Sequence, residues 1–249
     1  MNVSVVIIAK NEAARIQKCI ASALQITRDV IVVDTGSTDD TVGISQKNNA
    51  RALQIDWNGY GDARNKGAAG ALCNWVFSLD ADEIISAELA AELLRSEEPV
   101  QNVIFRIRRT VFWGNKKINH GSWRGDSVVR LYNKQFTQWD TRAVHEKIDS
   151  DKAKIVSLEN AIDHFTVKSL AAFTNKQIHY ARLWATDANR DNKHSNFFKQ
   201  FFSPVFNFLQ GYIFKLGILD GAEGFWIAKT NAFYTYLKYA ILMDLQRGR

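Results

Sequence analysis

Short aliphatic runs alternate with helical patterns over residues 1–80. Three runs read as strands buried on both faces of a parallel sheet: residues 3–8, 30–33 and, more loosely, 75–79. Between the first two runs, Ile16, Ile20 and Leu24 recur at four-residue spacing, which predicts a helix with one buried stripe. The pattern then repeats, with helices predicted at 41–49 and 61–72 and a strand at 51–55. This alternation predicts a wound α/β half-domain.

The pattern changes beyond Pro99. Residues 103–112 and 127–132 are rich in β-branched and aromatic side chains and are separated by glycines, which predicts a mixed or antiparallel extension of the same sheet. From Leu170 onward the periodicity is helical, and residues 197–239 hold 14 of the chain's 29 aromatic residues. We therefore predict an α/β fold, a wound mixed sheet flanked by helices, with a helical, aromatic-rich C-terminal appendage.

Composition excludes several classes of protein. With 46% hydrophobic and 23% charged residues, 14 Gly and 2 Pro, the chain is not disordered, collagen-like or a coiled-coil rod. No stretch reaches the roughly 18 to 20 uninterrupted apolar residues of a spanning helix, so we expect neither a transmembrane helix nor a cleaved signal peptide. Two cysteines, Cys19 and Cys73, are too few for a disulfide framework or a zinc site, which favours a cytosolic protein.

Charge is distributed unevenly along the chain. Residues 1–100 carry 9 Lys and Arg against 14 Asp and Glu, whereas residues 101–249 carry 23 against 12. The later part is therefore strongly basic and is expected to meet an anionic partner. Nucleic acid, acidic lipid headgroups and phosphorylated glycans all satisfy this expectation.

Polar segments follow the predicted strands, where ligands bind in open α/β sheets. These segments are residues 9–12, 34–39 and 80–83. The Gly-rich signatures of nicotinamide-binding Rossmann folds and of P-loops are absent from the sequence, which argues against both types of phosphate site.

Asp80 and Asp82 lie two residues apart at the end of an extended segment, so their side chains are predicted to leave the backbone on the same side. Two such carboxylates can share Mg²⁺ or Mn²⁺, which bridges to substrate phosphates such as those of a nucleoside diphosphate. An ordinary polar turn is the alternative, but the preceding apolar strand favours the metal.

Asp34 could accept a hydrogen bond from a base N–H, or merely begin a turn. Arg64 could contact a diphosphate or a base, or remain a solvated arginine at a helix start.

Four segments together resemble the successive signatures of family 2 glycosyltransferases, in the usual order and spacing: residues 9–12, 32–41, 63–67 and 78–83. Within that family, further segments resemble the bacterial β-1,4-glucosyltransferases that build the lipopolysaccharide inner core: residues 130–132 and 144–146, His164 and residues 217–221. The resemblance implies a GT-A fold, a nucleotide-sugar donor, a divalent metal (Mg²⁺ or Mn²⁺) and inversion at the anomeric carbon.

The resemblance also assigns roles by position. Ala9 and Glu12 would line the base and ribose site, Asp34 the uracil, Arg64 the nucleotide, Asp80 the ribose or metal, and Asp82 would be the main metal ligand. Thr35 stands where many relatives have a second acidic residue, which leaves Asp34 as the only carboxylate at that point. The implied domains are a GT-A catalytic domain at 1–165, with a nucleotide-binding half (1–80) and a metal and acceptor half (81–165), and a helical extension at 166–249.

Direct displacement with inversion needs one general base, for which we choose Glu146; a surface strand end is the alternative for this residue. His145 is expected to orient the acceptor or only to pack. His164 is the expected further metal ligand, or a packed strand histidine. Trp123 and Arg124 are expected to form a ledge for the acceptor, although a core tryptophan is the alternative.

The aromatic stripe that begins at Phe197 leaves two interpretations open. It is either a core helix or an interfacial helix on an anionic inner leaflet, where a lipid-linked acceptor would be found.

The sequence as a whole predicts an inverting, metal-dependent hexosyltransferase that moves glucose from a UDP-sugar to a lipopolysaccharide core or similar glycan. It is expected to be cytoplasmic and peripheral on the inner face of the membrane, with no nucleic-acid partner. The alternatives are a transferase of another envelope polysaccharide, a nucleotidyltransferase, or a non-enzymatic membrane-binding or nucleic-acid-binding module.

Overall fold

A mixed β-sheet is the central element of the fold. The computed structural model describes residues 1–140 and 147–247. Within these residues the strands are β1 (Val3–Ala9), β2 (Val30–Asp34), β3 (Arg51–Gln54), β4 (Trp75–Asp80), β5 (Glu83–Ile85), β6 (Val103–Trp113), β7 (Lys116–Lys117), β8 (Ser127–Asn133) and β9 (Lys154–Val167). The α-helices are α1 (Ile16–Ala23), α2 (Thr41–Lys47), α3 (Tyr60–Ala69), α4 (Ala87–Arg95), α5 (Leu170–Arg190), α6 (Phe197–Leu209) and α7 (Gly221–Arg247).

The strand order is β3-β2-β1-β4-β8-β6-β9-β5, and β7 pairs with the end of β6. Strands β3, β2, β1 and β4 are parallel, whereas β8 runs antiparallel to β4 and β6 antiparallel to β8. The chain begins in β1, continues to one side through β2 and β3, and then crosses to β4 on the other side. This reversal creates a switch point between the carboxyl ends of β1 and β4, where open α/β sheets bind ligands.

Both faces of the parallel strands are covered, because consecutive side chains of β1 enter different cores. Val5 and Ile7 pack in a core with residues of α1 and α4, and Val6 and Ile8 pack in a second core with residues of α3. Gly67 allows α3 to approach the sheet closely, since a Cβ at this position would lie 2.3 Å from Cγ1 of Val6. The continuous apolar runs of the sequence are therefore strands buried on both faces.

The predicted fold class is confirmed. The strands expected at 3–8, 30–33, 51–55 and 75–79 are β1 to β4, and the expected antiparallel extension is built from β6 and β8. Helices α5, α6 and α7 form the helical C-terminal segment. The molecule is an α/β protein whose mixed sheet is flanked by helices.

The chain divides into two compact units. The first contains Met1–Thr110 and Gly125–His164, and the second contains Val111–Arg124 and the residues from Phe165 onward. Within the second unit, Ala185, Ala188 and Leu242 form a small core shared by α5 and α7. Among the described helices, none combines the length and apolar character needed to cross a membrane. The functional division of the chain at residue 165 stays a prediction.

Candidate functional site

The carboxyl ends of three parallel strands lie side by side in the first unit. Ala9 of β1 is in register with Asp34 of β2, and Ile8 of β1 is in register with Asp80 of β4. Backbone pairing therefore brings together three residues that the sequence predicted for the nucleotide: Ala9, Asp34 and Asp80. They meet at the switch point of the sheet.

The loops that follow β1 and β2 are bonded to each other. Asn11 accepts a hydrogen bond from the backbone N–H of Thr38 at 2.7 Å, and its own N–H donates to Oγ of Ser37 at 2.8 Å. The backbone N–H of Glu12 donates to Oγ1 of Thr41 at 2.9 Å. These bonds fix Glu12 beside the first turn of α2, and its predicted role at the base and ribose site stays a prediction.

Asp34 is fully buried. Its Oδ2 accepts hydrogen bonds from the backbone N–H groups of Gly36 at 3.2 Å and Ser37 at 3.1 Å. Its Oδ1 is also buried and has no hydrogen-bond partner among the described residues. A buried carboxylate oxygen without a partner is costly, so this atom is suited to accept an N–H from a ligand.

Asp80 is held by two arginines. Its Oδ1 accepts from Arg64 at 2.7 Å and its Oδ2 accepts from Arg130 at 2.6 Å. Burial raises the pKa of Asp80, but the guanidinium groups of Arg130 and Arg64 outweigh this effect and hold the pKa well below its usual range. Asp80 is therefore a carboxylate whose two oxygens already have cationic partners.

Arg64 is buried, with 2% of its side chain exposed. Its guanidinium lies 4.5 Å from the ring centroid of Trp139, in cation–π geometry. Trp139 is fixed in turn by Asn65, whose side-chain amide donates to the Trp139 carbonyl at 2.9 Å and accepts from its N–H at 3.0 Å. The alternative of a solvated arginine at the helix start is therefore wrong, because Arg64 packs under Asp80 and against an aromatic ring.

Asp82 and His164 are brought together by strand pairing. Glu83 of β5 is in register with His164 of β9. Nε2 of His164 lies 3.5 Å from Oδ2 of Asp82, and Nη1 of Arg15 lies 3.9 Å from the same oxygen. Nδ1 of His164 is buried and has no hydrogen-bond partner among the described residues. The two residues expected to bind metal are thus neighbours, although they lie 82 positions apart in the chain.

This pair fits a divalent cation as an open, incomplete ligand set. No group of three or more His, Cys, Asp or Glu side chains able to hold a metal occurs in the described part of the chain. Mn²⁺ and Mg²⁺ do not require such a cage, because one or two protein ligands suffice when substrate phosphates and water complete the shell. Asp82 is 21% exposed and His164 14% exposed, so both side chains are partly open to solvent. The imidazole suits Mn²⁺ better than Mg²⁺, which prefers oxygen.

Four charged residues of this site were not predicted from the sequence: Glu83, Arg109, Asp126 and Arg130. The carboxylate of Glu83 is fully buried, with Arg109 at 3.2 Å and Arg130 at 3.4 Å from its Oε1. Nε of Arg109 also donates to Asp126 at 2.9 Å. The available sequence signal was an arginine between apolar residues of a strand, because Arg130 stands between Val129 and Leu131.

Four further residues were predicted from the sequence for acceptor binding and catalysis. Trp123 and Arg124 belong to the second unit, where Trp123 stacks with Trp113 at 6.1 Å and meets Phe173 edge-on at 5.3 Å. Arg124 is exposed. Glu146 and His145 lie outside the described residues. Their predicted roles, like those of the other site residues, stay predictions.

Comparison with known proteins identifies the family. Residues 4–164 match the family described as glycosyl transferase family 2. An uncharacterized glycosyltransferase of Rickettsia prowazekii (strain Madrid E) is 30% identical over 98% of this chain and 87% of its own length. The lipopolysaccharide core biosynthesis glycosyltransferase LpsC of Rhizobium meliloti (strain 1021) is 28% identical over 95% of this chain and 90% of its own.

A solved structure with partial likeness is that of glucosyl-3-phosphoglycerate synthase from Mycobacterium tuberculosis in complex with Mn²⁺, UDP and glucosyl-3-phosphoglycerate. It is 26% identical over 45% of each chain, with a TM-score of 0.36. The family match covers the whole first unit apart from its first three residues. The expectation drawn from the sequence motifs is confirmed: the chain belongs to glycosyl transferase family 2.

Proposed function

We propose that the protein is an inverting glycosyltransferase that moves glucose from UDP-glucose to a lipopolysaccharide core or similar glycan acceptor. The observation that carries this proposal is a buried carboxylate oxygen of Asp34 without a partner among the described residues, at the end of β2, together with the Asp82–His164 pair, whose Asp82 follows β4 on the other side of β1. The first group suits a nucleobase and the second a diphosphate with its cation. A nucleoside diphosphate sugar requires both.

Asp34 is proposed to select uracil. The N3–H of uracil is a donor, whereas the corresponding nitrogen of cytosine is an acceptor and would meet the carboxylate with its lone pair. Oδ2 of Asp34 is already occupied by the N–H groups of Gly36 and Ser37, so Oδ1 is the atom left for the base. Ala9 and Glu12 would line the base and ribose site on the neighbouring loop.

Asp82 and His164 are proposed to hold Mn²⁺ or Mg²⁺ beside the diphosphate. When bound, such a cation neutralises negative charge that develops on the departing UDP. Arg15, 3.9 Å from Asp82, adds a positive charge at the same place. Asp80, with Arg64 and Arg130 on its two oxygens, is proposed to face the ribose and to keep the strand end in position.

Glu146 is proposed as the general base that removes the proton of the acceptor hydroxyl, and His145 as a residue that orients the acceptor. Inversion by direct displacement requires one base and no covalent nucleophile on the enzyme. A carboxylate at this position would act on the face of the sugar opposite to the leaving UDP.

The acceptor is proposed to be lipid-linked, with the enzyme cytoplasmic and peripheral on the inner face of the membrane. Support for a lipopolysaccharide core acceptor comes from the Rhizobium meliloti relative named for that process, which matches 95% of this chain. Trp123 and Arg124 are proposed to contribute to acceptor binding.

The test is a donor screen. Purified protein is incubated with UDP-glucose, UDP-galactose or UDP-N-acetylglucosamine and with truncated lipopolysaccharide, with Mn²⁺ or with EDTA, and released UDP is measured. We expect acceptor-dependent UDP release from UDP-glucose with Mn²⁺, and a β-linked product by NMR. Release from another UDP-sugar would correct the donor, an α-linked product would refute inversion, and undiminished release in EDTA would refute the metal.

A further inference from the structure

Helix α6 and the turns after it expose a large apolar surface. Twelve large apolar side chains between residues 197 and 219 are between 41% and 71% exposed: Phe197, Phe198, Phe201, Phe202, Val205, Phe206, Leu209, Ile213, Phe214, Leu216, Ile218 and Leu219. We call this set the apolar face. Isolated exposed apolar residues are ordinary, but a contiguous set of this size marks an interaction surface.

The apolar face does not have the burial pattern of a core helix. A helix that packs on a core hides its apolar stripe and exposes its polar side. In α6 none of the residues is buried, and the most exposed side chains include Phe197 at 67% and Phe198 at 68%. The aromatic rings instead stack on one another along the surface, as Phe197 does with Phe201 at 6.2 Å and Phe198 with Phe202 at 6.1 Å.

Basic residues outnumber acidic ones around the apolar face, although Lys193 is ion-paired with Asp191 at 2.9 Å. Residues 192–219 contain Lys193, Lys199 and Lys215 but no Asp or Glu. The second unit as a whole has 14 Lys and Arg against 5 Asp and Glu. An aromatic surface with a basic rim is complementary to the headgroup region of an anionic bilayer, where rings sit at the boundary and lysines contact phosphates.

We propose that the apolar face inserts into the interfacial layer of an anionic membrane and so docks the enzyme on the leaflet that carries its acceptor. This inference rests on the proposed function for the identity of the acceptor, but the docking itself needs no donor. A second copy of the chain fits less well, since a symmetric contact would bring Lys199 and Lys215 of both copies together on units that each carry an excess of positive charge.

The test is co-sedimentation of the full chain with vesicles. One set of vesicles is phosphatidylcholine alone and the other contains 30% phosphatidylglycerol, each measured from low to physiological salt. We expect preference for the anionic vesicles, roughly fivefold for each lysine that reaches the surface. Added salt should weaken that preference, because screening acts within about 8 Å at physiological ionic strength. A residual, salt-resistant fraction reports aromatic insertion.

The decisive variant replaces Phe198, Phe202 and Phe206 by serine. These residues are four apart on one side of α6, and serine resembles phenylalanine in helix propensity, so the helix is expected to persist. Partitioning should fall by at least about tenfold, because each ring withdraws apolar area from the interface. The matched control replaces Leu72, Leu94 and Val100 by serine. These residues are also exposed but lie outside the apolar face, so this variant should bind like the wild type.

Three results would overturn the proposal: no binding to anionic vesicles at low salt, equal loss in the control variant, or unchanged binding by a phenylalanine variant whose circular dichroism shows it folded. A dimer in analytical ultracentrifugation that the phenylalanine variant alone dissociates would assign the surface to a second copy.

UDP-glucose binding, measured by saturation-transfer NMR without vesicles, reports separately on the proposed function. Vesicle binding can therefore fail while UDP-glucose binding persists, and UDP-glucose binding can fail while vesicle binding persists.

Discussion

Glu83 is bonded to the backbone of Asp80, since its Oε2 accepts the N–H of Asp80 at 3.0 Å. The same carboxylate contacts Arg130 at 3.4 Å through Oε1, and Arg130 donates to Oδ2 of Asp80 at 2.6 Å. Glu83 therefore fixes the end of β4 twice, once through the main chain and once through a shared guanidinium. Asp82 lies between the two acidic residues, so its position depends on this arrangement.

Replacing Glu83 by alanine is expected to destabilise the protein by about 3–5 kcal/mol, because Arg109 and Arg130 would lose a fully buried counter-charge. Glu83→Gln keeps an oxygen that can accept the N–H of Asp80 and should lose less. Urea unfolding at pH 7 measures both variants. Glu88→Gln on the exposed side of α4 is the control and should stay within about 0.5 kcal/mol of the wild type. An unchanged midpoint for Glu83→Ala would contradict the role given to this carboxylate.

His164→Ala and Asp82→Asn are each expected to weaken Mn²⁺ binding by at least about tenfold, because each removes one of two proposed protein ligands. In wild type with UDP, Mn²⁺ at 100 times its dissociation constant should stabilise the fold by about 2.7 kcal/mol, seen as a higher melting temperature. His179→Ala, on an exposed position of α5, is the matched histidine control. A Mn²⁺-dependent rise of equal size in His164→Ala would remove His164 from the metal site.

Glu146→Gln is expected to lower kcat by roughly 10² to 10⁴-fold, the usual contribution of a general base. UDP affinity, measured by isothermal titration calorimetry, should stay the same, because the base acts on the acceptor hydroxyl. Glu159→Gln is the control, because it makes the same change at an exposed glutamate on β9. Normal turnover in Glu146→Gln, or a marked loss of UDP affinity, would assign the base to another residue.

The sequence predicted the parallel half of the site better than the antiparallel half. Asp34 and Asp80 could be located because continuous apolar runs mark parallel strands, whose carboxyl ends meet at one edge. Arg109 and Arg130 could not, since the register of β6 against β8 is set by tertiary packing and shifts between Phe105 and Arg106. That irregularity is invisible to a pattern of alternating residues.

The apolar residues of α6 show a second limit of sequence patterns. A core helix and an interfacial helix share the same spacing of Phe198, Phe202 and Phe206, so periodicity leaves both interpretations open. Only burial distinguishes them, and burial depends on what the rest of the chain places against the helix. In the structure these three rings are 57–68% exposed.

Asp29 lies directly before β2 and links β1, β3 and the loop before β4 at the amino end of the sheet. Its carboxylate accepts from Oγ of Ser4 at 2.5 Å, from Arg51 at 2.5 Å and from the backbone N–H of Leu72 at 2.7 Å. Burial raises the pKa of Asp29, but the hydrogen bonds from Ser4, Leu72 and Arg51 together lower it below its ordinary value.

A lowered pKa in the folded state makes stability depend on pH in one direction. The contribution of Asp29 is fully present above its unfolded pKa of about 3.9 and is lost as the pH falls through the lower folded value. Asp29→Asn should therefore be less stable than wild type by about 1–3 kcal/mol at pH 7, with the gap narrowing towards pH 3. Urea unfolding across this range measures the gap, with Asp151→Asn in an exposed turn as the control. A gap that stays constant with pH would mean that the loss comes from packing and that the charge of Asp29 contributes nothing to stability.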